Sequence, residues 1–335
     1  MDELLTIENL TVAFDTDEGV LTAVDDVSLS IGKGESVGLV GESGCGKSVT
    51  ALSTLRLIPS PPGRIVSGRA RYGAEDLLSV PIERLRAVRG AGIGMIFQEP
   101  MTALSPLHRV GKQLVEALRL HGRPSEAEAW ATGADWLAKM GIADAAEVMY
   151  AYPFQLSGGM RQRVMIAMTL MLGPDLIIAD EPTTALDVTI QAQIFELIAQ
   201  MRARETALLL ITHDMGVIWE MCERVIVMYA SRIVEQGTRE QIFEDPKHPY
   251  TEALLLSMPA LAGGKGRLPA IKGQVPSPLE YPAGCRFADR CKHAFERCRT
   301  EQPPLYALAG GRRSACFLAE AGAAGSRKSE VGNRK

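Results

Sequence analysis

The run Gly41-Glu42-Ser43-Gly44-Cys45-Gly46-Lys47-Ser48 constrains the fold of this chain more than any other stretch. Its spacing is G-x-x-x-x-G-K-S. It follows Ser36-Val37-Gly38-Leu39-Val40, an apolar run suited to a buried strand, and it opens a helix expected from about Lys47 to Leu57. Glycines let the backbone curl until several N–H groups point inward, and the helix adds the positive end of its dipole, so the loop suits an anion. There Lys47 supplies a mobile positive charge for β- and γ-phosphates, and the Ser48 hydroxyl a ligand for Mg²⁺. Gly41 to Ser48, with Val49 behind them, are the expected nucleotide-binding residues, although the Cys45 thiol occupies an unrestricted position.

The remaining pattern fits an α/β chain. Leu5-Thr6-Ile7, Leu10 to Phe14 and Val27 to Ile31 alternate with period two, and Pro59 with Pro61-Pro62-Gly63 stops the first helix. A strand is expected at Ile93 to Phe97. From about Pro100 to Gly173 the pattern turns helical, with amphipathic segments at Val110 to Leu120 and Ala127 to Met140. Strand-like runs return at Leu176 to Ala179, Leu208 to Ile211 and Val225 to Met228. Ile190, Ile194, Leu197, Ile198 and Met201 form one helical face. This order suggests a parallel-sheet core with an inserted helical subdomain at about residues 100–173.

Composition narrows the classes. An apolar fraction of 46% in 335 residues supports a packed core and excludes a disordered chain. Lys and Arg total 36 against 40 Asp and Glu, a net charge of −4, which argues against nucleic acid as a partner. No apolar run approaches the roughly 20 residues of a membrane-spanning helix. The acidic start Met1-Asp2-Glu3 lacks the features of a secretory signal, so a soluble, cytosolic chain is expected. Past Pro259 the composition shifts to Gly263-Gly264-Lys265-Gly266 and a series of prolines. The expected divisions are a main domain over 1–258, an extension over 259–320 and a disordered tail over 321–335.

Two further motifs carry chemistry. Leu176-Ile177-Ile178-Ala179-Asp180-Glu181 is an apolar strand ending in two carboxylates. Asp180 is suited to hold Mg²⁺ through water, and Glu181 to polarise an attacking water. Leu156-Ser157-Gly158-Gly159-Met160-Arg161-Gln162-Arg163 builds a second anion-binding helix start, with Ser157 as cap and Gly158 and Gly159 exposing N–H groups. This motif resembles the signature of ATP-binding cassette (ABC) ATPases, with Met160 where glutamine is usual. The resemblance implies a P-loop NTPase fold with an antiparallel β subdomain, an inserted helical subdomain and a small Cys-rich C-terminal extension. It also implies that Ser157, Gly158 and Gly159 serve the ATP of a partner subunit. Other landmarks follow: Gln98 resembles the glutamine that senses Mg²⁺ and the γ-phosphate, and Ala185-Leu186-Asp187 the D-loop. His213 resembles the switch histidine, and Phe14 the aromatic residue that stacks on adenine.

Three stretches, Gln98 to Pro106, Pro182 to Gln191 and His248-Pro249-Tyr250-Thr251, make the chain similar to ATPases of dipeptide and oligopeptide importers. So do Cys285, Cys291 and Cys298 with their neighbours. That resemblance implies a membrane-transport ATPase using ATP and Mg²⁺, peripheral on the cytoplasmic face of the inner membrane. Its partners would be a second ATPase subunit in a heterodimer, two permeases and an extracytoplasmic peptide-binding protein. Nickel, glutathione or antimicrobial peptides stay open as cargo, and a non-transport soluble cassette is the alternative reading. The spacings of Cys285, Cys291, Cys298 and Cys316 are not zinc knuckles, and four thiolates are the normal ligand count of a [4Fe–4S] cluster. Such a cluster is expected there, with zinc as the alternative and a structural role. Every cassette motif precedes residue 214, so ATP chemistry is expected to survive cluster loss better than assembly does.

Overall fold

The computed structural model describes residues 3–99, 103–122, 124–183, 188–201, 205–257 and 271–320. In chain order the first elements are β1 (Glu3–Thr16), β2 (Gly19–Gly32), β3 (Ser36–Val40), α1 (Lys47–Thr54), β4 (Gly63–Tyr72), β5 (Glu75–Asp76), α2 (Ile82–Val88) and β6 (Ile93–Ile96). Next come α3 (Val110–Gly122), α4 (Glu126–Lys139), α5 (Ala145–Val148), α6 (Gly158–Leu170), β7 (Leu176–Asp180), α7 (Val188–Met201) and β8 (Ala207–Ile211). The last are α8 (Met215–Met221), β9 (Arg224–Tyr229), β10 (Arg232–Thr238), α9 (Arg239–Glu244), α10 (Pro249–Leu256), α11 (Glu296–Thr300), β11 (Tyr306–Ala307) and β12 (Arg313–Ser314). They fall into two compact units. The first takes Met1–Leu4, Ile31–Glu35 and Ser79–Leu210; the second takes Leu5–Ser30, Ser36–Leu78 and Ile211–Lys335.

In the first unit β8, β7 and β6 lie side by side, and β6 runs parallel to β7 with Ile93 opposite Leu176 and Ile96 opposite Ala179. Every residue of β6, β7 and β8 is buried, the pattern of parallel strands covered on both faces. Between β6 and β7 the chain builds the expected helical insert from α3 to α6. Helix α4 starts with a capping box, in which Ser125 Oγ accepts from Glu128 N–H and the Glu128 side chain reaches back to Ser125 N–H. Gly111 of α3 lies so close to Trp130 that a Cβ would sit 2.7 Å from the ring. Helix α6 buries Val164, Met165, Ile166 and Ala167 in succession, so it is a core helix rather than an amphipathic one.

In the second unit one sheet has the order β2–β1–β4–β5, with β1 antiparallel to β4. The two N-terminal strand-like runs form a single strand whose register shifts between Glu8 and Thr11, beside Asn9 at φ +48°. The other strands of this unit follow the order β11–β12–β10–β9–β3. Strand β3 is parallel to β9, with Val37 opposite Arg224 and Val40 opposite Val227. Strand β12 pairs antiparallel with β10, placing Ser314 opposite Glu235. The proline-rich extension thus contributes two strands where the sequence suggested only irregular chain. Helix α1 stops at Thr54, three residues before the expected Leu57. Arg56 turns to φ +51°, and Leu57 N–H closes back on Leu52 O.

Candidate functional site

In the loop between β3 and α1 the glycines take up left-handed backbone. Gly41, Gly44 and Gly46 adopt φ of +151°, +78° and +99°. A Cβ at Gly41 would lie 2.1 Å from Met228 O, and one at Gly46 would lie 2.2 Å from Ala23 O. Both positions therefore require glycine for space as well as for conformation. Ser43 and Gly44 are exposed at the tip, Glu42 is half-buried, and Ser48 and Val49 begin α1 half-buried. Lys47 is 5% exposed, and its Nζ donates to Gly41 O at 2.9 Å and Glu42 O at 3.1 Å. The ammonium thus lies folded back under its own loop. Burial pushes the Cys45 thiol up, against the opposing charge of Lys47, so this thiol is a packed neutral group. Phe14 of β1 packs its ring on Gly63, where a Cβ would come within 2.8 Å of Phe14 Cε1.

The first unit brings Gln98 and the acidic strand end together. Asp180 closes β7 at 4% exposure. Glu181 follows at φ +43°, and Gln98 Nε2 donates to Glu181 Oε2 at 3.1 Å. Ser157 caps α6, its Oγ accepting from Met160 N–H at 3.3 Å, while a Cβ at Gly158 would meet nothing within 4 Å. Ser157 and Gly158 are exposed and Gly159 half-buried, which leaves this helix start open to a ligand. Behind it, the buried Gln162 amide donates to Pro182 O, tying α6 to the segment after Glu181. In the second unit His213 is exposed between β8 and α8, and Asp214 Oδ1 caps α8 by accepting from Gly216 and Val217 N–H. The D-loop residues Ala185, Leu186 and Asp187 lie outside the described residues.

Residues far along the chain also reach the loop. His248, Pro249 and Tyr250 open α10. Burial pushes His248 down to about 3, and its neutral Nδ1 accepts from Tyr250 N–H at 3.1 Å. The fully buried Tyr250 hydroxyl accepts from Glu42 N–H at 2.9 Å. Arg290 grips the Glu42 carboxylate through both terminal nitrogens, at 2.7 and 2.9 Å. The extension therefore contacts the loop directly. No short-range signal reveals these contacts, since Glu42 sits at an unrestricted position of its motif.

The cysteines of the extension are all unpaired as disulfides. Cys285 N–H donates to Cys298 O at 2.8 Å. All four cysteines, with Phe287, Phe295 and Phe317, line one small cavity of about 20 Å³. Burial pushes the Cys285 thiol up to about 11, and the neighbouring thiols of Cys298, Cys316 and Cys291 act in the same direction. Four thiols around one cavity match the donor set of an iron–sulfur cluster. Among the described residues, however, no three His, Cys, Asp or Glu side chains are grouped so as to hold a metal ion. Neither the expected [4Fe–4S] cluster nor zinc has a ready-made site in these side-chain positions.

Comparison with known proteins places this geometry. Residues 24–184 match the family model of ABC transporters. The chain is 50% identical over 318 residues to a probable peptide ABC transporter ATP-binding protein of Sinorhizobium fredii, covering 94% of this chain and 95% of the relative. The chain belongs to the ABC transporter family. Residues 234–298 of this cassette protein also match the C-terminal region of oligopeptide/dipeptide transporters. It is 47% identical to the oligopeptide transport ATP-binding protein AppD of Bacillus subtilis, covering 96% of the chain and 98% of the relative. It is 46% identical to the dipeptide transport ATP-binding protein DppD of Escherichia coli, covering 93% and 96%. Among solved structures, an ATP-binding cassette captured as a dimer in a post-hydrolysis state with ADP and phosphate aligns at a TM-score of 0.62 and 26% identity. That alignment covers 70% of this chain and 98% of the other. The cassette fold, with its antiparallel sheet, mixed sheet and helices, is thereby established, and with it an ABC ATPase.

Proposed function

We propose that this chain is the ATP-hydrolysing subunit that powers import of dipeptides or oligopeptides through an ABC transporter. The observation that carries the reading is whole-chain similarity to peptide-transport ATP-binding proteins, extending through residues 234–298. No described helix is long and apolar enough to cross a membrane. In this reading the cassette over 1–258 acts from the cytoplasmic face of the inner membrane. It would work beside a second ATPase subunit and two permeases, fed by an extracytoplasmic peptide-binding protein.

In this reading the amides of residues 41–46 and Lys47 Nζ hold the phosphates, and Phe14 stacks on adenine. Lys47 exchanges the carbonyls of Gly41 and Glu42 for phosphate oxygens, which keeps its buried charge partnered throughout. Ser48, Gln98 and, through water, Asp180 are the residues suited to Mg²⁺, which when bound neutralises phosphate charge. Glu181 takes a proton from the attacking water as its oxygen bonds to the γ-phosphorus and the bond to ADP breaks. Gln98, already donating to Glu181, holds that carboxylate in place, and His213 stabilises the γ-phosphate. Ser157, Gly158 and Gly159 complete the ATP site of the partner subunit. Met160 donates its backbone N–H to the Ser157 cap, a contact that does not need glutamine at this position. Cys285, Cys291, Cys298 and Cys316, which line one cavity without yet being grouped as metal ligands, are proposed to hold a structural [4Fe–4S] cluster.

Reconstitution tests the transport reading. The chain, co-purified with its permeases and partner ATPase in proteoliposomes, should hydrolyse ATP faster when loaded peptide-binding protein is added. Stimulation by nickel or glutathione with no response to peptides would overturn the assigned cargo.

A further inference from the structure

Glu42 is held at three points. Its N–H donates to Tyr250 Oη, its carbonyl accepts from Lys47 Nζ, and its carboxylate takes both terminal nitrogens of Arg290. The Arg290 side chain is only 5% exposed. It also donates to Tyr229 Oη at 3.2 Å and to Lys272 O at 3.0 Å. The two tyrosines are fixed by packing of their own. Tyr229 and Tyr250 pack ring to ring at 4.6 Å, and Phe287 meets both edge-on. Arg290 itself ends a tight turn in which Arg290 N–H donates to Phe287 O and Cys291 N–H to Ala288 O. A guanidinium this well anchored has little rotamer entropy left to lose, so its fork fixes the Glu42 carboxylate in both position and orientation.

A second grip comes from the same turn. Arg286 donates to Ala230 O and to Asp25, and its guanidinium stacks 3.6 Å above the Tyr281 ring. The Tyr281 hydroxyl shares a 2.6 Å hydrogen bond with Ser231 Oγ, and Ser231 N–H donates to Cys45 O at 3.1 Å. The Cys285–Cys291 turn thus holds both ends of the phosphate loop: Glu42 through Arg290, and Cys45 through Ser231. Only Ser43 and Gly44 are left exposed between them.

We infer that Arg290 is a positioning residue for nucleotide binding, acting through Glu42 to hold the loop over residues 41–46 in its phosphate-cradling shape. A loop ordered before ATP arrives has already met the entropy cost that a free loop meets on binding. Loss of the grip should therefore weaken ATP affinity about tenfold, the equivalent of ordering roughly one further backbone residue. Turnover at saturating ATP should fall less than about twofold, because Arg290 supplies no group to the reacting atoms.

The inference rests on the ATP-binding reading, and the test separates the two. Affinity of the full-length chain for a fluorescent ribose-labelled ATP is measured together with hydrogen exchange of the amides in residues 41–46. If the unaltered chain fails to bind, the ATP reading fails before Arg290 is in question. If it binds, Arg290→Met and Glu42→Gln should each raise the Kd about tenfold and speed exchange across residues 41–46. The double variant should be no worse than either single one, since both remove the same link. Lys292→Met cuts a surface pair with Glu252 in the same extension and should leave both readouts unchanged. Should Arg290→Met fail to fold, Glu42→Gln and Arg290→Lys carry the test, the lysine variant giving an intermediate Kd. Unchanged Kd and exchange in the single variants, or additive losses in the double, would overturn the inference.

Discussion

Arg312→Met should destabilise the chain by about 3 kcal/mol. Arg312 NH2 lies 2.9 Å from Glu235 Oε1, with side chains 6% and 0% exposed. The same guanidinium donates to Gln241 O and Asp245 O and meets the Asp245 carboxylate at 3.3 Å. Removing one partner of a buried pair typically costs about 3–5 kcal/mol, because the other charge is stranded. Two features place this case at the lower end. Glu235 keeps two charge-assisted hydrogen bonds, from Lys247 N–H at 2.7 Å and His248 N–H at 2.9 Å. A stranded carboxylate can also take up a proton, which at pH 7 costs an ordinary glutamic acid about 4 kcal/mol and sets the ceiling. Urea unfolding followed by circular dichroism measures the loss. With a slope of about 3 kcal/mol/M, the midpoint should fall by about 1 M. Adding Glu235→Gln to Arg312→Met should recover most of it, since the neutral amide leaves no charge stranded and its oxygen can still accept from the backbone at Lys247 and His248. An unshifted midpoint in Arg312→Met, or a double variant weaker than the single, would refute the reasoning.

Glu181→Gln should retain ATP binding and lower hydrolysis by about 10²–10⁴, the range for a general base. Steady-state phosphate release near the unaltered rate would move that role to another residue. Anaerobically purified chain should be brown and carry about four irons, which Cys291→Ser should abolish. Colourless protein with one zinc, or with no metal, would remove the cluster.

What the sequence determined by itself was local geometry. The glycines at 41, 44 and 46 and the Ser157 cap each specify backbone shape within a few neighbouring residues. Such features read directly, because left-handed φ and end-capping depend on residue type more than on surroundings. The buried runs of β3, β7 and β8 were equally legible, since strands covered on both faces need unbroken apolar stretches. The tertiary structure decided what holds the phosphate loop. Tyr250 meets Glu42 from 208 positions away and Arg290 from 248, and neither pairing has a period or a motif to announce it. It likewise decided that a proline-rich tail would supply β11 and β12 and bury Arg312 against Glu235. An isolated arginine or tyrosine reads the same exposed or buried. Only the summed packing of α10, β9 and the cysteine turn brings these side chains to the loop, and that sum is a property of the whole fold.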